Sequence, residues 1–397
     1  MKHRFIQLGI LLIAGLMTGC ASLPRTAVPL EYQSSAHIAG MTQVRAISGQ
    51  DNLFFEEDVL HSAGQYREYH DLSDDEKLEL SLLVLSGGAD YGAFGAGLLN
   101  GWSESGTRPE FKLVTGVSTG ALIAPFAYLG SDYDHLLKEV FTTVNADDIF
   151  SARFLGVLWN DGLFDTTPLA ELIELYITRD IMQVVALENA RGRRLWIATT
   201  NLDSDRLVIW DMGKIAQSNH PDALKLFRRV ILASTSIPGV FPPVMIDVEV
   251  DGKAYDEMHV DGGVKAQLFL NAETLNLIRL KERDENAAGR PEWTFYIVRN
   301  AKVGPEPQQI ERRISTISSR AMTSLLKSQG RSDMERIYTM GKMADVKFNW
   351  TSLPIEYIPA TLEAFDQVEM NTMFKMGYEQ GLRGGDWRTR PPGIGHN

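Results

Sequence analysis

The chain has 397 residues and a formal net charge of −12, with 44% apolar and 23% charged residues. That length can bury a large core in one domain or two, at the composition of an ordinary globular protein. The acidic balance excludes a nucleic-acid surface built on clustered Lys and Arg, and the single cysteine excludes an intrachain disulfide.

At the N-terminus, Lys2, His3 and Arg4 precede an apolar run over residues 6–17, broken only by Gln7, Gly9 and Gly15. A charged start and a short apolar stretch predict a secretory signal peptide over residues 1–19, too short for a comfortable membrane span. The run ends at Met17-Thr18-Gly19-Cys20, followed by Ala21 and Ser22, and this resembles the lipobox of bacterial lipoproteins. The resemblance implies cleavage before Cys20 and acylation of that cysteine, which anchors the chain to a membrane through more than one acyl chain. Cleavage removes Lys2 and Arg4 and no acid, so the mature chain is more acidic still. Ala21 in place of aspartate implies the bacterial cell envelope, with the outer membrane favoured and the protein facing the periplasm. Residues 20–78 lack strong periodicity and carry polar stretches at 48–52 and 71–76. They read as a lipid-anchored tether with a few ordered turns wrapping the domain.

From residue 79, strand-like and helix-like runs alternate. Strands are expected at 82–85, 111–115, 195–199 and 207–210, and helices at 121–128, 133–140, 168–176 and 223–232. The alternation argues for an α/β fold with a largely parallel central sheet flanked by helices, over residues 79–275. Asp165-Thr166-Thr167-Pro168 looks like a helix start, with a proline in the first turn.

Three motifs carry the chemistry. After the first strand comes Ser86-Gly87-Gly88-Ala89-Asp90-Tyr91-Gly92, continuing to Gly95 and Gly97. Glycine-rich turns before a helix expose backbone N–H groups that hold a phosphate, or the oxyanion of acyl transfer. A dinucleotide fingerprint is the rival, but G-x-G-x-x-G does not match in order, and close helix packing on small residues is the bland alternative. Next, Gly116-Val117-Ser118-Thr119-Gly120 stands between a strand and a helix, the context of a nucleophile elbow. Third, His259-Val260-Asp261-Gly262-Gly263 puts a carboxylate at a tight turn. A serine needs a base beside it, and a carboxylate within hydrogen-bond reach serves as well as a histidine.

Beyond the motifs, residues 287–291 read as a loop and 293–298 as a strand added to the same sheet. A helix is expected over 309–343, with apolar positions including Ile310, Ile314, Ile317, Ala321 and Leu325. Arg312, Arg313, Arg320, Lys327, Arg331 and Arg336 make it locally basic; it reads as a solvated face, with lipid head-group contact as the alternative. A last helix, over 365–382, carries Met370, Met373 and Met376 as core filling. Residues 276–383 are thus a strand and helices packed on the core, and 384–397 a disordered tail.

Together the glycine-rich loop, G-x-S-x-G and D-G-G, in that order, resemble the patatin-like phospholipase family. The segments 161–166 and 233–243 are similar to it too, so the resemblance covers about residues 80–270. It implies a patatin-like α/β fold and a Ser118–Asp261 dyad, with Ser118 as nucleophile and Asp261 as general base. The N–H groups of Gly87, Gly88 and Ala89 would form the oxyanion hole, and Gly92, Gly116, Gly120, Gly262 and Gly263 complete the motifs. The implied substrate is a lipid ester, a phospholipid or lysophospholipid, and no nucleic acid. No metal and no cofactor are expected, because no cluster has zinc or EF-hand spacing. The family loop carries a third glycine and a basic residue where this chain has Ala89 and Tyr91. Losing that cation, with Asp90 added, disfavours a developing oxyanion. Two alternatives stand beside this reading. One is a triad using His220 or His259; the other is a catalytically lapsed lipoprotein acting as an envelope lipid-binding scaffold.

Overall fold

The computed structural model describes residues 23–50, 52–73, 76–152, 161–270, 291–361 and 363–394. The signal at 1–19, Cys20, and most of the 287–291 loop lie outside the described residues. One nine-stranded sheet organises the chain. Its strands are β1 (Arg45–Ile47), β2 (Glu79–Leu85), β3 (Phe111–Gly116), β4 (Arg194–Asn201), β5 (Arg206–Asp211), β6 (Val244–Val250), β7 (Lys253–Asp261), β8 (Glu292–Arg299) and β9 (Lys347–Ser352). The order is β1-β5-β4-β3-β2-β8-β9, with β7 pairing both β4 and β6.

The sheet is parallel from β9 through β8, β2 and β3 to β4. Beyond β4 it turns antiparallel, at β5, β1, β7 and β6. The expectation of a largely parallel sheet therefore describes the central strands only. The reason is local: only four residues lie between the pairing partners Asn201 and Arg206, which permits a tight antiparallel return and no crossover helix.

Helices cover both faces, and strand alternation feeds two cores. On β2, Leu83 and Leu85 join one core with Phe94 and Leu98 of α2 (Gly92–Glu104), Ile123 of α3 (Thr119–Leu129) and Phe141 of α4 (Asp134–Thr143). The same core takes Ile173 of α5 (Thr167–Tyr176), Val185 of α6 (Arg179–Ala190) and Phe227 of α7 (Ala223–Thr235). Leu82 and Val84, one residue out of phase, face the other core. There they meet Phe55 and Val59 of α1 (Leu53–Tyr69) and Met334 and Ile337 of α8 (Ile314–Met343). The last helix, α9 (Gln367–Leu382), lies against α2 at backbone distance. Gly97 and Gly101 of α2 press on the Phe374 and Tyr378 carbonyls, where no Cβ fits. The glycines after the first loop therefore serve helix packing, and a dinucleotide fold has no support. Met370 and Met373 are buried as expected.

Two expectations need correction. The predicted tether is part of the domain over much of its length: β1 pairs with β5, and α1 packs under the sheet. Lys112, buried on β3, donates through Nζ to Ser62 O and Oγ on α1 at 2.9 and 2.8 Å. Arg25 bridges Asp203 and Asp256, both at 2.7 Å. The predicted disordered tail is also docked: Arg388 exchanges backbone hydrogen bonds with Trp350, and Trp387 packs tilted against Trp102 and edge-on to Tyr296. No helix among the described residues is long and apolar enough to cross a membrane.

Candidate active site

Parallel strands gather their C-terminal ends along one sheet edge, where α/β folds build sites. β2 delivers the glycine-rich loop there, β3 delivers Ser118, and β8 delivers Arg299. Antiparallel β7 brings Asp261 to β4, opposite Thr199.

Ser118 sits at φ 55° and ψ −126°, left-handed backbone that costs a residue with a Cβ of order 1–3 kcal/mol. The turn is closed by contacts that admit no larger residue: Gly116 lies on Gly120 O, and Gly120 on Leu85 O. The Ser118 N–H donates to Ser234 Oγ at 3.0 Å, and the Ser234 hydroxyl donates to Ala198 O at 2.7 Å. α3 begins at the next residue and turns the positive end of its dipole toward the serine.

Asp261 and Ser118 are both buried, 5% and 7% exposed. Burial pushes the Asp261 carboxyl up to about 6, against hydrogen bonds from the Ser118 hydroxyl and the Gly263 N–H. The Gly263 bond is 2.7 Å, to Oδ1. A carboxylate in that range is basic enough to take a proton and largely ionised at neutral pH. Gly262 lies on Ala198 O with no room for a Cβ.

Gly87 faces the serine: a Cβ on it would stand 3.1 Å from Ser118 Cβ and 3.7 Å from Oγ. Gly88 presses on Asn300 O, and Gly92 on Thr119 Oγ1. Ala89 holds φ 51°, the left-handed region that favours glycine. Among the described residues, the N–H groups of Gly87, Gly88 and Ala89 donate to no protein acceptor. Asp90 turns away into the C-terminal segment, where it accepts the Phe365 N–H at 3.4 Å, and burial raises its pKa.

A cation the sequence reading did not identify lies behind the loop. Arg299, 5% exposed at the end of β8, donates from Nη1 to Gly87 O at 3.2 Å and to Gln267 Oε1 at 3.0 Å. Gln267 Nε2 in turn donates to Gly263 O at 3.2 Å. Asp333 of α8 accepts the Gln267 and Leu268 N–H groups at 2.7 and 3.2 Å. One guanidinium thus ties the loop before the nucleophile to the turn after the base. Burial lowers its pKa to about 10, so it stays charged at neutral pH. The available signal was a polar pair, Arg299-Asn300, following the apolar run Phe295-Tyr296-Ile297-Val298. Ser234 was also missed, inside a segment noted only for its resemblance.

Neither histidine joins Ser118. His259 is fully buried, with Nδ1 2.8 Å from Thr199 Oγ1 and Nε2 3.1 Å from Glu257 Oε2. His220 accepts the Asp222 N–H at 3.2 Å on another part of the surface. Cys20 lies outside the described residues.

Beside the serine opens a narrow cavity of about 70 Å³. Ala89 and Thr119 line it next to the serine, and Leu122, Phe126, Leu172 and Ile173 are among its walls. Phe365 and Met370 from the C-terminal segment close it. Its lining is almost wholly apolar, suited to a hydrocarbon chain.

Residues 83–272 match the family described as patatin-like phospholipase. Two patatin-like phospholipase domain-containing proteins of Cryptococcus neoformans var. neoformans serotype D are each 30% identical over 173 residues, 42% of this chain. The match spans only 18% and 17% of those relatives' own lengths. An uncharacterized protein of Acanthamoeba polyphaga mimivirus is 26% identical over 179 residues, 44% of this chain and 57% of its own. Among solved structures, VipD from Legionella pneumophila is similar at a TM-score of 0.37 and 13% identity, over 77% of this chain and 66% of its own. Over residues 83–272 the chain is thus similar to the patatin-like phospholipase family, and its α/β fold, a central sheet flanked by helices, is the patatin fold.

Proposed function

We propose that this protein is a lipid acyl hydrolase of the phospholipase A, lysophospholipase or esterase type, working through an acyl-enzyme on Ser118 with Asp261 as base. The observation that carries the reading is a buried serine on a strained strand-to-helix turn and a buried carboxyl raised to about 6, brought to neighbouring strand ends beside an apolar pocket that Ala89 and Thr119 line. Asp261 takes the Ser118 proton as Oγ attacks the ester carbonyl. The oxyanion lies against the N–H groups of Gly87, Gly88 and Ala89, with the Arg299 charge behind them. Asp261 returns the proton to the leaving alcohol or lysolipid. It then takes a proton from water, which attacks the acyl carbon and releases the fatty acid and Ser118. The acyl chain occupies the cavity. In this reading the lipidated Cys20 holds the enzyme at the envelope membrane, on the periplasmic side of the outer membrane.

The test is fatty-acid release from mixed phospholipid vesicles by the parent, Ser118→Ala and Asp261→Asn. Release by the parent alone is the expected result. A folded parent that releases nothing, leaves short-chain esters untouched and takes no serine-reactive fluorophosphonate at Ser118 would favour the lapsed scaffold.

A further inference from the structure

Helix α8 changes character along its length. Its C-terminal half is core: Gly330, Asp333, Met334, Ile337 and Gly341 are buried. Its N-terminal half leaves the body, with Ile314 87%, Ile317 51%, Met322 51% and Leu325 66% exposed. At 3.6 residues per turn, Ile314, Ile317, Ala321 and Leu325 form one stripe. That stripe lies nearly opposite the face that Gly330, Met334 and Ile337 turn to the core, so it is not core surface left partly uncovered. Between residues 309 and 329 four cations (Arg312, Arg313, Arg320, Lys327) stand against one acid, Glu311, in a chain whose net charge is −12; Arg313 pairs with Glu311, Lys327 with Glu306, and Arg320 donates to Glu306 O at 2.6 Å. The arm leaves the body at the candidate site: Gln329 donates to Val264 O at 3.5 Å, beside the Asp261 turn, and Gly330 packs on the Arg299 guanidinium.

We propose that residues 310–326 are an interfacial docking arm that lies in the surface of an anionic phospholipid bilayer. Its apolar stripe enters the acyl boundary, and its arginines meet the phosphates. Complementary charge selects this occupant: even after its pairs with Glu306 and Glu311 the segment keeps a cationic excess on an acidic protein, which anionic head groups complement. Arg320 and Lys327 tie this half-helix to residues 304 and 306 but leave its apolar stripe uncovered, so contact with lipid also orders it. The purpose rests on the acyl-hydrolase reading, since the arm would bring the base turn to the lipid surface; the evidence for the arm does not.

Replacing Cys20 by serine leaves the full chain free of cysteine, so a single reporter can be placed at will. In a Ser118→Ala, Cys20→Ser background, an environment-sensitive fluorophore is attached at Ile317→Cys on the stripe or at Thr323→Cys on another face. The probe is vesicles of phosphatidylglycerol and phosphatidylcholine, against phosphatidylcholine alone. The expected result is a blue shift at position 317 and not at 323, on anionic vesicles, reduced by salt. Ile314→Ser, Ile317→Ser and Leu325→Ser together, with the label moved to Ala321→Cys, should weaken vesicle partitioning roughly a hundred-fold. No shift at 317, or equal shifts at 317 and 323, overturns the proposal. So does a shift that grows with protein concentration without lipid, which would mark a helix–helix contact between two copies. In the catalytically intact chain the triple serine variant should hydrolyse soluble short-chain esters as the parent does. Loss of that activity in the parent would strike the hydrolase reading and leave vesicle docking standing.

Discussion

Asp261→Asn should abolish activity and stabilise the fold, and the pH dependence of that gain tests the dyad. Burial raises the carboxyl from 3.8 to about 6, so ionised Asp261 is a strained occupant of its own pocket. Two pKa units at ~1.4 kcal/mol each give about 3 kcal/mol as the cost of keeping it charged above pH 6. The sign follows from linkage. A carboxyl whose folded pKa is raised helps the folded state below its unfolded pKa, near 4, and loses that contribution as pH rises through about 6. Asparagine does not titrate and keeps the shape, and its Oδ1 still accepts the Gly263 N–H. At pH 8 the variant should therefore resist urea better than the parent by up to ~3 kcal/mol, less whatever the Ser118 contact contributes. At pH 4, where the folded carboxyl is protonated and the unfolded one is near its own midpoint, the difference should shrink to a small fraction of its pH 8 value. Paired urea titrations at pH 4, 6 and 8 measure this. A variant no more stable at pH 8, or equally advantaged at pH 4, would refute the buried-base reasoning. In the parent, kcat/KM for a soluble ester should rise through about pH 6 as the base ionises, and the variant should lose roughly 10²–10⁴-fold.

Ala89→Gly relieves the left-handed alanine at φ 51° and should raise stability by up to ~1 kcal/mol without loss of ester turnover, checked by thermal melting and initial rates. Arg299→Met removes the donor shared by Gly87 O and Gln267 Oε1; it should destabilise by roughly 2–4 kcal/mol and lower kcat more than it raises KM, while Arg299→Lys restores part of kcat. Leu172→Trp fills the cavity from a half-buried wall position, and should depress hydrolysis of long-chain esters at least about tenfold while sparing butyrate esters.

What the sequence made legible was local chemistry. The elbow at Ser118, the turn at Asp261 and the loop at Gly87 are each specified by residues a few positions apart, and each motif lies on the expected strand end. What stayed hidden is held by distant partners. Arg45 of β1 is matched by Glu257, buried and held at about 2 by Arg45 and His259 against the pull of burial. Neither residue announces the other across more than two hundred positions. The tail was misread because its prolines and glycines suggest disorder, whereas Arg388 finds an edge strand at Trp350. Antiparallel pairing beyond β4 was invisible because strand runs carry no direction in their composition.

The same distance effect decides how far the active unit extends. The family match ends at residue 272, and the reading from motifs placed a boundary at 275. Yet β8 lies between β2 and β9, inside the sheet rather than appended to it. Removing everything after 275 would bare the β2 edge along seven paired positions from Glu79 to Leu85. Phe295 and Ile297, both fully buried, would be lost from beneath it. The site would go with the sheet. Arg299 and Asn300 hold Gly87 and Ser86, and Phe365 and Met370 wall the cavity. The catalytic motifs therefore lie within the first 272 residues, but the geometry that makes them a site is completed by strands and loops after them. A chain cut at 275 should fail to fold rather than fold and idle, because an exposed central strand has no substitute partner.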